Sequence, residues 1–156
     1  MKGYAHVMIT GGTVGVPRSL DEIAAHPVTC YVFGGGKGEG RSLLNNVTNV
    51  ENAYVTIGGD AWVYGSVFGG AEDAWINGDV NLTVLNGTTK TVGGKEIQFP
   101  LIGTWGTSYV DGNIFGGGRG FDGVNKLAGL VGGNITVDIK GGTMLGSVYG
   151  GGRLGS

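Results

Sequence analysis

One short element recurs four times along the chain: a β-branched residue, an aromatic ring and two or three glycines. It occurs as "YVFGGGKGEG" (31–40), "GSVFGGAED" (65–73), "GNIFGGGRGFD" (112–122) and "GSVYGGGRLGS" (146–156). A β-branched residue beside a ring favours a strand, whereas glycine runs favour turns or close backbone contacts. The recurrence indicates a fold that repeats one structural unit.

A stretch of alternating apolar residues belongs to each unit. The stretches are "HVMITGG" (6–12), "YVTIGGD" (54–60), "NLTVLNG" (81–87) and "ITVDIKGG" (135–142). Alternation of this kind is typical of a half-buried strand. Each unit is therefore predicted to contain a strand, a glycine turn and a second strand that ends in the aromatic ring.

Composition separates a folded chain from a disordered one. The 36 Gly and 3 Pro make up about a quarter of the 156 residues, which is the lower edge of the disordered range. Leu, Ile, Val and Phe together make up about 27% of the chain, above the roughly 20% below which chains stay unfolded. Valine is the commonest of these four residues, and it favours strands. We predict an all-β protein.

The repeats predict a parallel β-solenoid, or β-helix, of about four irregular coils in a single domain over 1–156, which is complete or a segment of a longer repeat array. A β-sandwich or a meander would not require the same element to recur in register. Stacked coils place equivalent residues over one another, so we expect the β-branched and aromatic residues to form columns, with the rings inside the coil. The predicted stacking core is Val32, Phe33, Val67, Phe68, Ile114, Phe115, Val148 and Tyr149.

Two units carry insertions, which we expect to leave the stack through one corner. In the first insertion, Ser19 and Glu22 have the spacing of a capping box, which predicts a short helical insertion over about 20–26. In the second, two alternating runs flank Gly93-Gly94, which predicts a projecting hairpin over about 89–100.

The unit "ITVDIKGGTMLGSVYGGGRLGS" (135–156), together with "MITGGTVG" (8–15), resembles the glycine-rich repeats of bacterial cell-surface or secreted β-solenoid proteins of adhesin or fibre type. The resemblance covers about half of the chain, and the chain departs from it at Ala71, where the third glycine is replaced. It implies an extracellular or cell-surface location and a structural or adhesive role. It implies no catalytic residues, so we expect neither enzymatic activity nor a cofactor.

Charge and hydropathy exclude two classes of partner. The net charge is −2 and only 14% of residues are charged, so the chain has no strong field to attract nucleic acid. No run of 18 apolar residues occurs, so no membrane span is predicted. The single Cys30 cannot form an internal disulfide.

Two sets of side chains are candidates for binding. Aromatic faces suit the apolar faces of sugars, and the candidate glycan contacts are Trp62, Tyr64, Trp75, Trp105 and Tyr109. Basic residues follow the glycines in three units and would form a column of candidate anion contacts: Lys37, Arg119 and Arg153. Ordinary packing of the rings and solvation of the charges are the alternatives.

Carboxylates and histidines give no defined site. Acidic residues fall in or near turns, where calcium-binding or glycosidase carboxylates occur: Glu72, Asp73, Asp79, Asp111 and Asp122. No spacing fixes a pair of them. "GGRGFDGVN" (117–125) matches a calcium-binding nonapeptide, but a single copy supplies half of a site. His6 and His26 lack an evident third ligand, so no metal site is predicted.

No terminal cap is visible in the sequence, and solenoids need caps to avoid pairing with other chains. Either further repeats of a longer chain or a second copy would cover such ends. We therefore predict a structural or adhesive protein that assembles end to end into a homo-oligomer or filament. The alternative is a β-helix that binds or cleaves polysaccharides through aromatic and acidic loops around 60–79 and 100–122.

Overall fold

The computed structural model describes residues 3–26, 29–38, 48–106, 111–120 and 127–154. Within these ranges the chain is all-β, as the sequence predicts, with fourteen strands and one short helix. Twelve of the strands form three parallel sheets of four strands each, and the other two form an antiparallel hairpin.

Each of four successive chain units contributes one strand to each parallel sheet. Sheet A contains β1 (Tyr4–Ile9), β4 (Asn52–Gly59), β7 (Val80–Gly87) and β12 (Ile135–Ile139). Sheet B contains β2 (Thr13–Val14), β5 (Trp62–Val63), β10 (Leu101–Ile102) and β13 (Thr143–Met144). Sheet C contains β3 (Val32–Phe33), β6 (Val67–Phe68), β11 (Ile114–Phe115) and β14 (Val148–Tyr149). The unit order is the same in all three sheets.

Strand pairing in register places similar residues in columns. In sheet A, one column contains Val7, Val55, Leu82 and Val137. Side chains of this column join inward residues of sheets B and C in one buried cluster. Burial of each such side chain contributes about 1.5–3 kcal/mol. The core therefore lies between the three sheets.

Each unit has three strands instead of the two that the sequence predicts. The second predicted strand is divided in the structure: Thr143–Met144 belongs to sheet B, and Val148–Tyr149 belongs to sheet C. Two-residue strands are too short to show alternation, so the sequence pattern predicted these two strands as one.

The aromatic rings form a column outside the cluster between the sheets, although Phe68 and Phe115 are buried as predicted. Phe33, Phe68, Phe115 and Tyr149 occupy one register position of sheet C, with ring centroids 5.0, 4.6 and 4.8 Å apart in that order. Successive side chains of a strand point to opposite faces. Because Val32, Val67 and Ile114 face the core, the rings lie on the other face of the sheet. The expectation of rings inside the coil was wrong for this reason.

The glycine that follows each ring permits close stacking. A methyl group on Gly69 would lie 2.5 Å from the carbonyl oxygen of Gly116, and one on Gly116 would lie 2.4 Å from that of Gly150. Real Cβ atoms do not approach other atoms so closely. At this column, contact between units requires glycine.

The two insertions leave the stack at different corners, so the expectation of one corner was wrong. Helix α1 (Leu20–Ala25) lies between β2 and β3, and Ser19 and Glu22 form the predicted capping box. Strands β8 (Thr89–Val92) and β9 (Lys95–Gln98) form the predicted hairpin between β7 and β10. In the parts of the chain that the structure describes, no helix is long and apolar enough to span a membrane.

Candidate functional site

The fourth unit forms one edge of the stack, at which several apolar side chains are exposed. Among the described residues, β12, β13 and β14 each pair with a strand on one side only. Two columns whose members are buried in the third unit end here in exposed side chains. Val148 is 47% exposed and Tyr149 is 48% exposed, whereas Ile114 and Phe115 beside them are 0% and 8% exposed. The prediction that Val148 and Tyr149 are buried is therefore corrected: Val148 ends the inward column and Tyr149 ends the outer ring column, and both are about half exposed.

The first unit forms the opposite edge. Strands β1, β2 and β3 likewise have a partner on one side only within the described ranges. Val7, Ile9 and Val14 of this unit pack against the core while remaining partly exposed. The two edges therefore end the same columns in opposite directions, but they are not equally exposed: Val32 of β3 is 5% exposed, whereas Val148 of β14 is 47% exposed.

The glycine column continues to the edge of the fourth unit. In the first three units, a Cβ at this position would meet a carbonyl oxygen of the following unit: Gly34 meets Gly69 and Gly69 meets Gly116. Gly150 occupies the same position, and a Cβ there would have no atom within 4 Å. Within the described residues, no side chain therefore prevents another strand from approaching Gly150 as closely as the units approach one another inside the stack.

The five predicted glycan contacts do not form one platform. Trp62 and Tyr64 stack on each other with centroids 4.6 Å apart, but Tyr64 is buried and offers no ligand surface. Trp105 lies against Gly93 of the hairpin turn. Trp75 lies apart from them and donates its indole N–H to Asn77. Tyr109 is outside the described residues.

The predicted column of anion contacts is interrupted by acidic residues. The Arg119 guanidinium lies 3.6 Å from the Asp73 carboxylate, so part of its charge is already compensated. Backbone bonds place Lys37 beside Asp73 rather than beside another cation. Arg153 is exposed and lines a groove of about 430 Å³ beside the ring column. The structure brings basic and acidic side chains together here, instead of forming a uniformly positive surface.

The acidic residues have separate structural roles. Glu72 is buried, and burial, followed by the Asp73 charge, raises the pKa of its carboxyl. Asp79 accepts a hydrogen bond from the Asn134 backbone N–H at 2.8 Å. Asp122, with part of the calcium-like nonapeptide, lies outside the described residues. Among the residues that are described, no group of three or more His, Cys, Asp or Glu side chains is placed to hold a metal.

Sequence reasoning missed a buried polar cluster between the two decorated units. Arg18 donates to the Asp111 carboxylate at 3.0 Å, and the Tyr31 hydroxyl donates to the other carboxylate oxygen at 2.7 Å. Burial, opposed by the bonds from Tyr31 and Arg18, raises the pKa of Asp111. Burial, assisted by Asp111, raises the pKa of Tyr31 to about 12. Arg18 and Asp111 are 93 positions apart, so no local pattern could have revealed the pair.

A second missed arrangement is the cleft between the hairpin and sheet B, where Lys90 of β8 pairs with Asp60 at 2.7 Å beside Trp62. Sequence analysis identified Trp62 as a candidate glycan contact, but it identified neither Asp60 nor Lys90. They are separated by 30 positions, and only the folding of the hairpin brings them together.

Comparisons of this chain with protein-family models, with curated proteins and with solved structures give no match. Function is therefore inferred from the geometry of the described residues.

Proposed function

We propose that this chain is a parallel β-solenoid of four irregular coils that serves as a structural or adhesive element of an extracellular or cell-surface fibre. In that fibre, the first unit of one copy stacks on the fourth unit of another. Heterologous contacts of this kind do not close on themselves, and they generate filaments. The location outside the cell rests on the resemblance of the glycine-rich repeats.

The match between the two edges carries the proposal. Placing β3 of a second copy on β14 would set Val32 against Val148 and Phe33 against Tyr149. These pairs repeat the chemistry of the inner junctions, in which valine or isoleucine packs on valine and ring packs on ring. The same contact would cover side chains that are now about half exposed, and exposed strand edges readily pair with other strands.

Charge also favours a second copy over a highly charged partner. The inward columns of the fourth unit end in apolar residues such as Ile139 and Val148, and the ring column ends in the uncharged Tyr149. The exposed Asp138 of β12 already pairs with Lys140. Stacking would bury them without burying an unpaired charge, which would be costly.

Gly150 gives the sharpest test. If a second copy stacks at the spacing of the inner junctions, Gly150→Ala places a methyl group against a carbonyl oxygen, as a methyl on Gly69 would. In the separate chain the same methyl meets nothing within 4 Å. Gly150→Ala should therefore impair assembly without lowering the stability of the monomer.

The experiment is light scattering and electron microscopy of the wild type over a concentration series, beside Gly150→Ala, Val148→Asp and the hairpin control Glu96→Ala. We expect filaments of uniform width from the wild type and the control, and none or far fewer from the two edge variants. Unfolding curves at dilutions where all are monomeric serve as the folding check for Gly150→Ala. A wild type that stays monomeric at every concentration overturns the stacking of copies and points to further repeats as the natural neighbour. Equal assembly of Gly150→Ala contradicts the proposed spacing.

A further inference from the structure

A cleft of about 280 Å³ lies on the side of the stack, under the β8–β9 hairpin, and extends to the first unit. The β8–β9 hairpin leaves the third unit and folds back over the outer surface of the first and second units. The cleft between hairpin and stack is lined by Gly12, Thr13, Asp60, Trp62, Lys90 and Phe99. Its walls therefore come from three different units.

The tryptophan of this cleft is held in one orientation. Its indole N–H donates to the Gly103 carbonyl oxygen at 2.8 Å. Tyr64 stacks on the indole, and the Phe99 ring meets it at 85° with centroids 5.9 Å apart. Trp62 nevertheless remains partly exposed and lines the cleft. A rigid aromatic surface of this kind binds a ligand at low conformational cost.

Two opposite charges stand beside the indole. The Lys90 ammonium lies 2.7 Å from the Asp60 carboxylate, and both side chains are almost half exposed. The ammonium also lies 5.3 Å from the centroid of the Phe99 ring. These contacts hold Lys90 in place, so the pair offers accessible donors and acceptors at a fixed position with no net charge.

We propose that this cleft binds a neutral oligosaccharide. A sugar ring presents an apolar C–H face, which the indole of Trp62 would cover, and a rim of hydroxyl groups, which both donate and accept hydrogen bonds. The Asp60 carboxylate would accept from one hydroxyl and the Lys90 ammonium would donate to another. Thr13, which pairs with Trp62 in sheet B, supplies a further hydroxyl group to the cleft.

The same geometry argues against other ligand classes. A polyanion would meet the Asp60 carboxylate, and a purely apolar ligand would desolvate the ion pair without replacing its bonds to water. A ligand with one apolar face and a polar rim satisfies both parts of the cleft.

Sugar binding is a property of one chain and does not depend on stacking. In a filament, each copy would carry one such cleft, and a long polysaccharide would engage several at once, so that avidity would exceed the affinity of one cleft. The test therefore uses Gly150→Ala or dilute wild type as monomer, which separates sugar binding from assembly.

The probes are cellohexaose, xylohexaose and mannohexaose, with hexagalacturonate as the acidic counterpart, and binding is followed by calorimetry and by tryptophan fluorescence. We expect at least one neutral hexasaccharide to bind, and hexagalacturonate to bind at least about tenfold more weakly. Asp60→Asn and Lys90→Met should each weaken binding about tenfold, because the first replaces a charged acceptor with a weaker neutral one and the second removes a charged donor. Trp62→Leu should abolish binding.

Matched controls lie outside the cleft. Asp138→Asn alters another exposed Asp–Lys pair, and Trp75→Leu removes a different tryptophan; neither should change sugar binding. Circular dichroism checks folding, and if Trp62→Leu does not fold, Asp60→Asn and Lys90→Met decide the matter. The proposal is overturned if no neutral hexasaccharide binds the wild type, or if both charge variants bind as the wild type does.

Discussion

Phe68 and Phe115 stack almost face to face, with ring centroids 4.6 Å apart and 8° between their planes. Parallel pairing of β6 and β11 imposes this spacing, which is close to the strand separation of any sheet. Because each ring covers the face of the next, the edges of the rings face outward. The column therefore stabilises the junctions between units and does not offer flat ring faces along its length.

Phe68→Leu should lower the free energy of unfolding by about 1–3 kcal/mol, since it removes buried surface and two stacking contacts. Phe33→Leu is the matched control, because Phe33 is less buried and has one neighbour within the column. Urea unfolding monitored by circular dichroism gives both values. A larger loss from Phe33→Leu would contradict the importance of the inner junctions.

Gly69→Ala should destabilise the chain by more than about 2 kcal/mol, because the new methyl would lie 2.5 Å from the Gly116 carbonyl oxygen and would force the second and third units apart. Gly150→Ala, at the same column position, should change the free energy of unfolding by less than about 1 kcal/mol. Thermal and urea unfolding of the monomers compare the two substitutions. Equal losses would show that glycine is needed for local backbone shape and not for contact between units.

Arg18→Met should lower the free energy of unfolding by about 3–5 kcal/mol, because it leaves the Asp111 carboxylate buried without its cationic partner. Lys140→Met removes the cation of an exposed pair with Asp138 and should cost less than about 1 kcal/mol. Urea unfolding near neutral pH measures both. If Arg18→Met costs no more than Lys140→Met, the buried pair does not stabilise the fold.

Ionisation of Tyr31 should lower the free energy of unfolding at alkaline pH. Its pKa is raised from 10 to about 12 in the folded chain, so its contribution is complete below pH 10 and is lost as the pH rises through 12. The full shift would correspond to about 2.7 kcal/mol, and screening by solvent at this partly exposed ring lowers the expected loss to about 1–2 kcal/mol. Tyr31→Phe cannot titrate there, so the stability difference between wild type and variant should shrink between about pH 9 and pH 12. Urea unfolding at several pH values tests this, and a constant difference would contradict the assigned pKa.

Sequence reasoning succeeded where the structure is local or repeated. Alternation over 54–60 and 135–142 predicted strands of sheet A, and the Ser19–Glu22 spacing predicted the start of α1. Recurrence of the ring also predicted that equivalent residues form one column. These features depend on residues that are close in sequence or identical from unit to unit.

Sequence reasoning failed where contacts join unlike segments. The strand Trp62–Val63 contains two residues, which is too short to show alternation. The ion pair between Asp60 and Lys90 depends on the direction in which the hairpin folds back, and neither residue belongs to the repeat. The inward or outward direction of the rings depends on where each short strand begins, because a shift of one residue exchanges the two faces.

The Arg18–Asp111 pair limits how the repeats of this protein can change in number during evolution. Arrays of stacked units commonly lengthen and shorten by duplication or loss of one unit, since each unit contacts only its neighbours. Arg18 follows the second strand of the first unit and Asp111 precedes the last strand of the third, so the pair spans the second unit. One additional unit between them would move the carboxylate by about 4.8 Å, beyond the reach of this hydrogen bond. Units can therefore be gained or lost without breaking this bond only at positions outside the first three units.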